Sequence, residues 1–299
     1  MGNPSPFEMT VYLWRPAAWL RVAGADATNF LQGQFTNDLR GLSTAPAVYG
    51  LWLDQKGHVL ADSFVLRAGP EAFWVGSYFS PAAVLRPRLE AYIIADDVTV
   101  EDQTAAWAGA SLIGAGAESA AGEFDAPLRF AGRRSAEPGV EMVFAADALP
   151  AVEARVAARR WPRLSADEME RLRIQSEITS VSRDIGPGDL PNEGGLEADA
   201  VSYTKGCYLG QEVMARLKSM GRVRRRLLRV AGAGPVPALP APLFQGGKKT
   251  GELRSAAAEG GGFIGLALLT LLGLDPPAGL SFTPGGPPAV RLAAPDDAQ

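Results

Sequence analysis

The residue whose type most clearly suggests chemistry is Cys207, the one cysteine in a chain of 299 residues. It lies in the string KGCYLGQE, between Lys205 and Tyr208. A neighbouring ammonium group and the N-terminus of a following helix both stabilise a thiolate, so the pattern suits a nucleophile or a metal ligand. Free cysteines are also commonly buried and inert. The two glycines of the string favour a functional role, because they let a ligand approach the backbone closely. Both interpretations remain open at this point.

The cysteine count also limits other chemistry and the compartment. One cysteine excludes an internal disulfide and an all-cysteine zinc site in a single chain, and no resident metal is expected. A reducing, cytoplasmic setting fits best. The first residues, MGNPSPFEMT, lack the basic start and the apolar run of a secretory signal. The long apolar runs are interrupted by glycine or proline, so we expect no membrane-spanning helix.

A second chemical feature is a segment rich in positive charge. The formal net charge is -4, yet the interval between Glu212 and Glu252 contains no acid and several closely spaced arginines and lysines. Such a segment could present one anion-binding surface on an otherwise acidic protein. The alternative is a solvated edge of a strand or helix.

The elements that would position these residues follow an α+β order. Strand-like runs flank a turn at residues 55–57, and Ser165 with Glu168 forms a capping box that predicts a helix. A long polar loop at residues 185–199 precedes the cysteine string, and such loops are usually functional or mobile. Beyond residue 222, short runs separated by glycine and proline predict a small antiparallel barrel or sandwich.

Five strings of the chain resemble a known family. KGCYLGQE resembles the signature of YgfZ-type folate-binding proteins, which are relatives of the glycine-cleavage T-protein, an aminomethyltransferase. The strings FLQGQFTNDL, LDQKGHVLADSFV and LPNEGGLEADAVSYTKG occur in the order of that family, and GRVRRRL follows the signature. The resemblance covers residues from about 20 to about 230.

The resemblance implies an α+β fold that forms a three-domain ring of the T-protein type, with a small C-terminal antiparallel β-barrel. The expected domains are a discontinuous folate-binding domain, a second α+β domain and the barrel. These comprise residues 1–45 plus about 160–221, about 46–159, and 222–299, respectively.

The resemblance also implies a site for tetrahydrofolate or a one-carbon derivative. Cys207 and Asp62 are the implied catalytic residues, and Cys207 is also a possible ligand of a shared cluster. Residues Asn37 and Asp38 would lie near the pterin, and the arginines at residues 222–226 would approach the anionic tail of the folate. The full set of implied cofactor-binding residues is Asn37, Asp38, Gln175, Arg222, Arg224, Lys205, Tyr208, Gln211 and Glu212.

Two positions depart from the pattern of the relatives. The T-protein has paired acids where this chain has Ala61 and Asp62, so one carboxylate is missing from a site where aminomethyl transfer needs an acid or base. The family usually has Arg-x-Glu-Ala-Gly after a domain-crossing helix, whereas this chain has Gln175 at the glutamate position. A glutamine keeps an acceptor oxygen and loses the charge.

The function implied by the resemblance is that of an accessory protein. We expect a cytoplasmic folate-binding protein that supports the assembly or repair of iron–sulfur enzymes, including those that modify tRNA. Because clusters typically need about four ligands, Cys207 would have to share a cluster with an iron–sulfur assembly protein or a client enzyme. An alternative is a folate-dependent aminomethyltransferase, so enzymatic activity stays open. Direct nucleic-acid binding by residues 222–229 is the least favoured function, because no aromatic residues alternate with the arginines.

Overall fold

The computed structural model describes residues 9–221 and 223–293. The strands are β1 (Thr10–Trp14), β2 (Ala18–Ala23), β3 (Ala47–Leu53), β4 (Val59–Gly69), β5 (Ala72–Ser77), β6 (Thr99–Asp102), β7 (Trp107–Ile113), β8 (Leu128–Ala131), β9 (Gly139–Ala145), β10 (Arg225–Ala233), β11 (Ala241–Gln245), β12 (Lys248–Glu259), β13 (Gly262–Thr270) and β14 (Val290–Leu292). The α-helices are α1 (Ala27–Gln34), α2 (Ala82–Glu90), α3 (Ala117–Ala121), α4 (Leu149–Arg159), α5 (Ala166–Gln175) and α6 (Gln211–Met220). Short 3-10 helices occupy Leu39–Ser43, Thr104–Ala106, Ala146–Ala148, Pro191–Gly194 and Pro276–Ala278.

The first sheet has the order β3-β4-β5-β2-β6, and its strand pairs are antiparallel. Strands β3 and β4 form a hairpin around the predicted turn. The carboxylate of Asp54 accepts the main-chain N–H groups of Lys56 and His58 there, and Gly57 adopts a φ of 77°, a conformation that strongly favours glycine. One face of this sheet buries helices α1 and α2 with Trp52 in a single apolar core.

The second sheet has the order β1-β7-β9-β8, so residues 10–14 join strands that follow residue 106. Its outer face is covered by α3 and α4, which contribute Ala120 and Val156 to a second core. Its other face and the first sheet share an aromatic cluster that includes Trp14, Trp19 and Phe130. The two sheets therefore pack on each other through aromatic side chains.

The C-terminal strands form a third, antiparallel sheet with the order β11-β12-β13-β10-β14. Its edge strands are connected through the segment at residues 280–281, because Ser281 bridges Phe244 of β11 and Leu280 bridges Val290 of β14. Helix α5 packs on this sheet at β12 and β13. The predicted capping box is confirmed, since Ser165 and Glu168 exchange side-chain and main-chain hydrogen bonds at the start of α5.

Two sequence expectations concern boundaries and membranes. Strand β2 precedes residue 45 and β3 follows it, so a division of the chain at that position would cut between strands of one sheet. Within the ranges 9–221 and 223–293, no helix is both long and apolar enough to cross a membrane. The α+β class is confirmed by the three sheets and their covering helices.

Candidate functional site

The loop that carries Cys207 is fixed by Lys205. This lysine is 5% exposed, and its ammonium group donates to the main-chain carbonyls of Gln32 (2.6 Å), Phe35 (2.6 Å) and Asn37 (3.1 Å). Those carbonyls belong to the C-terminal end of α1 and the residues after it, where the helix dipole favours a cation. Burial lowers the pKa of Lys205 to about 8. The lysine therefore attaches the cysteine loop to α1.

The other side of the loop is fixed by Tyr208 and Gly210. The Tyr208 ring is buried in a core with Leu53 and Met214, and burial raises the pKa of its phenol to about 12. Gly210 has a φ of 85°, and a Cβ there would lie 2.9 Å from the carbonyl oxygen of Asp54. The loop thus packs against the β3–β4 turn, and helix α6 begins directly after it.

Cys207 itself is exposed, so the interpretation that it is a buried cysteine is wrong. It lies four residues before the start of α6, where Gln211 is half-buried and Glu212 is exposed. Within the part of the chain that the structure describes, no group of three or more histidine, cysteine, aspartate or glutamate residues could hold a metal ion. A metal at Cys207 would therefore need ligands from beyond the described residues.

The predicted residues Asn37 and Asp38 have different roles. The Asn37 amide nitrogen donates to the carbonyl oxygens of Tyr49 and Asp199, both at 2.9 Å. The Asp38 carboxylate accepts from Gln32 and from the guanidinium group of Arg40, and the hydrogen bonds from Arg40 hold the pKa of Asp38 well below its usual range. Asn37 thus connects two segments that are distant in sequence, whereas the carboxylate of Asp38 is hydrogen-bonded to residues close to it in sequence.

Asp62 is buried within β4 and fully hydrogen-bonded. Its carboxylate accepts from Ser77 Oγ (2.8 Å), Ser80 Oγ (2.6 Å) and the Tyr49 hydroxyl (2.9 Å). The guanidinium carbon of Arg133 lies 4.4 Å from the centre of the Tyr49 ring. Burial, followed by the charge of Asp62, raises the pKa of Tyr49 well above its ordinary value. Tyr49 therefore connects Asp62 to Arg133.

Arg133 lines a cavity of about 540 Å³, which we call the Arg133–Asp199 cavity. Arg133 Nε donates to Asp199 Oδ2 at 2.7 Å, and this ion pair forms one wall. The remaining lining comes from the loop before the cysteine string, the end of α5 and the C-terminal sheet. Its full lining is Arg133, Glu177, Ile178, Thr179, Gly194, Gly195, Ala198, Asp199, Arg226, Leu227, Leu228 and Leu266.

Neither Gln175 nor Arg224 lines this cavity. The Gln175 side chain is exposed and donates to Glu259 of the C-terminal sheet at 2.6 Å. Arg224 is exposed, whereas Arg226 lines the cavity. Arg222 lies outside the described residues.

Part of the basic segment is used within the protein. The guanidinium group of Arg225 forms hydrogen bonds to both carboxylate oxygens of Glu193, at 2.9 and 2.7 Å, and lies 3.0 Å from Asp189. Arg229 donates to the carbonyl oxygen of Gln175. These contacts attach the third sheet to α5 and to the loop of residues 185–199, so they reduce the charge available for nucleic acid.

A smaller cavity of about 320 Å³ lies beside Arg134, the residue after Arg133. The Arg134 guanidinium carbon lies 3.7 Å from the centre of the Tyr78 ring, and Tyr12 and Phe79 provide aromatic walls. Glu170 forms ion pairs with both Arg173 and Arg183, and Asp167 also lines the cavity. Three of the charged groups in this cavity are therefore already engaged with one another.

Sequence reasoning did not single out Tyr49, Arg133, Glu177 or Asp199. Arg133 lies in the Ala- and Gly-rich middle of the chain, where periodicity is weak. Asp199 lies in one of the strings that carry the resemblance. An acidic residue at the end of the polar loop was the one feature that could have indicated a site residue there.

Comparisons with known proteins agree with this architecture. A family model described as the GCVT N-terminal domain matches residues 16–127, and one described as the CAF17 C-terminal beta-barrel domain matches residues 224–297. The iron-sulfur cluster assembly factor IBA57, mitochondrial, of Mus musculus is 29% identical, over 93% of this chain and 82% of its own length. The tRNA-modifying protein YgfZ of Edwardsiella ictaluri is 30% identical, over 76% of this chain and 72% of its own length.

A solved structure extends the likeness to three dimensions. The crystal structure of glycine cleavage system aminomethyltransferase T from Bartonella henselae superposes with a TM-score of 0.73 at 17% identity, covering 91% of this chain and 81% of that one. At this identity the likeness concerns the fold alone. The predicted T-protein type of fold, with a C-terminal antiparallel barrel domain, is thereby confirmed.

Proposed function

This chain belongs to the YgfZ family, and we propose that it is a cytoplasmic tetrahydrofolate-binding accessory protein that supports iron–sulfur enzymes, including those that modify tRNA. The observation that carries the proposal is the arrangement of the Arg133–Asp199 cavity and the cysteine loop. Asn37 contacts both, through Asp199 on one side and Lys205 on the other.

The cavity residues fit a folate chemically. A pterin ring presents N–H donors, for which the carboxylates of Asp199 and Glu177 are acceptors, and a folate tail presents carboxylates, for which Arg226 and Arg133 are donors. Leu227 and Leu266 supply apolar surface for the rings. The volume of about 540 Å³ lies within the usual range for small-molecule sites. When bound, the folate would supply one-carbon chemistry, and this chain's residues would bind and orient it.

Cys207 is the proposed reactive group of the protein. Its thiol is exposed, and the loop holds it between two buried anchors, Lys205 and Tyr208. A single thiol supplies one of the roughly four ligands of a cluster, so a partner protein would supply the others. This requirement suits a protein that contacts an iron–sulfur carrier or a client enzyme for part of its cycle.

Aminomethyl transfer is the weaker alternative. It needs an acid or base within reach of the reacting nitrogen. The one carboxylate retained at the T-protein position, Asp62, is 4% exposed and accepts hydrogen bonds from three hydroxyl groups. We propose that Asp62 orients Tyr49 and thereby supports the cavity wall.

The folate proposal is tested by isothermal titration calorimetry with 5-formyltetrahydrofolate. The expected result is saturable micromolar binding to the wild-type protein and at least about tenfold weaker binding to Asp199→Asn and Arg226→Ala, because each loses a charged partner of the ligand, an effect of about 1.4 kcal/mol or more. Arg224→Ala is the matched control, since Arg224 lies on the same segment without lining the cavity. Equal losses in Arg224→Ala and Arg226→Ala would contradict the assignment of the cavity.

The thiol proposal is tested separately by complementation. A strain that lacks its own YgfZ-family protein should regain the activity of an iron–sulfur tRNA-modifying enzyme with the wild-type chain. It should fail to do so with Cys207→Ser, although that variant should bind 5-formyltetrahydrofolate normally. Full complementation by Cys207→Ser would exclude a role for the thiol.

A further inference from the structure

Lys205 uses its ammonium group in an unusual way. A buried lysine is normally paired with a carboxylate, yet the three groups within hydrogen-bond distance of the Lys205 ammonium are main-chain carbonyls. An ammonium group has three N–H donors, so these carbonyls satisfy all of them. The side chain therefore serves as a clamp between the cysteine loop and the end of α1.

The same clamp is connected to the cavity by one residue. The Asn37 carbonyl accepts from Lys205, while the Asn37 amide donates to the main-chain carbonyl of Asp199. The Asp199 carboxylate holds Arg133, which is stacked on Tyr49. A ligand that bonds to Asp199 or Arg133 would thus influence Asn37, which is in direct contact with Lys205.

The main chain repeats this connection. Ser202 N–H donates to the Thr36 carbonyl at 3.0 Å, and Thr36 Oγ1 donates to the Ala200 carbonyl at 2.7 Å. Ser202 Oγ then accepts the N–H group of Lys205. Residues 199–205 are therefore attached along residues 36–37 as one unit, and the thiol follows two residues later.

The exposed part of the loop is a short arc between two anchors. Lys205 and Tyr208 are buried, whereas Gly206 and Cys207 are exposed. A Cβ placed on Gly206 would meet no atom within 4 Å. The position of the thiol consequently depends on the anchors at the two ends of the arc.

We propose that Lys205 is a positioning residue that couples occupancy of the Arg133–Asp199 cavity to the reactivity of Cys207. This inference rests on the folate-binding function proposed above. A ligand that fixes Asp199 also fixes Asn37 and the clamp, which restricts the motions of the arc and slows attack of the thiol on an external reagent. The coupling is reciprocal, so loss of the clamp weakens ligand binding although Lys205 does not line the cavity.

The experiment measures the alkylation rate of Cys207 by iodoacetamide with and without saturating 5-formyltetrahydrofolate. Since Cys207 is the one thiol in the chain, the rate reports on this position alone. The expected result is an at least about fivefold slower reaction in the presence of the folate, the lower end of typical coupling between sites. In Lys205→Met the rates with and without folate should be equal. Lys56→Met, which removes an exposed lysine from the β3–β4 turn, is the control and should behave like the wild type.

The calorimetric binding constant separates the two proposals. If the folate binds and the wild-type alkylation rate is unchanged, the coupling is refuted and the folate proposal stands. If the folate does not bind, both fail. A folate effect in Lys205→Met equal to that of the wild type would refute the role of Lys205. Should Lys205→Met lose its far-UV circular dichroism, Asn37→Ser provides the same test, because it removes the amide contacts to Tyr49 and Asp199 and keeps the carbonyl contact to Lys205.

Discussion

Replacement of Arg173 by methionine should destabilise the protein strongly. Arg173 is 2% exposed and Asp184 is 0% exposed, and the two are joined by a hydrogen bond of 2.6 Å. The guanidinium group also binds both carboxylate oxygens of Glu170, at 2.9 and 2.7 Å, and the carbonyl of Ile178. Methionine fills a similar volume but leaves the Asp184 carboxylate buried without its cation.

The expected loss is about 3–5 kcal/mol in the free energy of unfolding, the usual cost of removing one partner from a buried ion pair. The Asp184 carboxylate keeps the Ser180 N–H group and the Ser255 hydroxyl as donors, which favours the lower half of that range. Adding Asp184→Asn should recover part of the loss, because the uncompensated charge is then removed. Ile178 and Thr179 line the Arg133–Asp199 cavity, so folate binding should weaken as well.

Urea denaturation followed by tryptophan fluorescence and by far-UV circular dichroism gives the free energies, provided that the two probes coincide. Arg171→Met, on the same helix and outside this network, is the matched control and should change stability by less than about 0.5 kcal/mol. A loss below about 1 kcal/mol in Arg173→Met would refute the view that this buried ion pair contributes strongly to stability.

Two further predictions concern the turn beneath the cysteine loop and acid stability. Gly57→Ala should lower the melting temperature by several degrees, because φ is 77° and the new Cβ would lie 2.9 Å from the Cβ of Val213 on α6. Gly206→Ala is the control and should leave the melting temperature nearly unchanged. An unchanged melting temperature in Gly57→Ala would contradict the packing of this turn against α6. Burial alone would raise the pKa of Glu170, but hydrogen bonds and charge from Arg173 and Arg183 lower it. The contribution of Glu170 to stability is therefore present above the unfolded pKa of about 4.3 and is lost as the pH falls through the folded value. Glu170→Gln should therefore show a shallower decrease of stability below about pH 4.5, and an unchanged slope in acid titrations of stability would exclude this role.

The elements that sequence predicts correctly are those with local signals. The Ser165–Glu168 capping box and the turn at residues 55–57 are each encoded within a few residues, and both occur as predicted. The C-terminal sheet is predicted from its short runs separated by glycine and proline, and its antiparallel strands occur in that part of the chain.

The cavity wall could not be predicted in the same way. Arg133 and Asp199 are 66 residues apart in sequence, and neither lies in a periodic element. Their pairing depends on how the second sheet meets the loop before the cysteine string, which no local pattern specifies. Cys207, by contrast, was found because its glycines and its lysine are adjacent in sequence, although the role of Lys205 as a clamp on α1 depends on residues 32–37.

The position of Asp62 has a consequence for how this chain divides its chemistry. A carboxylate that accepts three hydroxyl hydrogen bonds would have to break part of that network to take part in proton transfer. In the role proposed for it here, Asp62 orients Tyr49, against which Arg133 lies. The proposed reactive group, Cys207, lies on a separate loop that shares Asn37 with the cavity. In the proposed accessory role, binding and reactivity would be located at these two connected places, and a ligand would influence the thiol without contacting it.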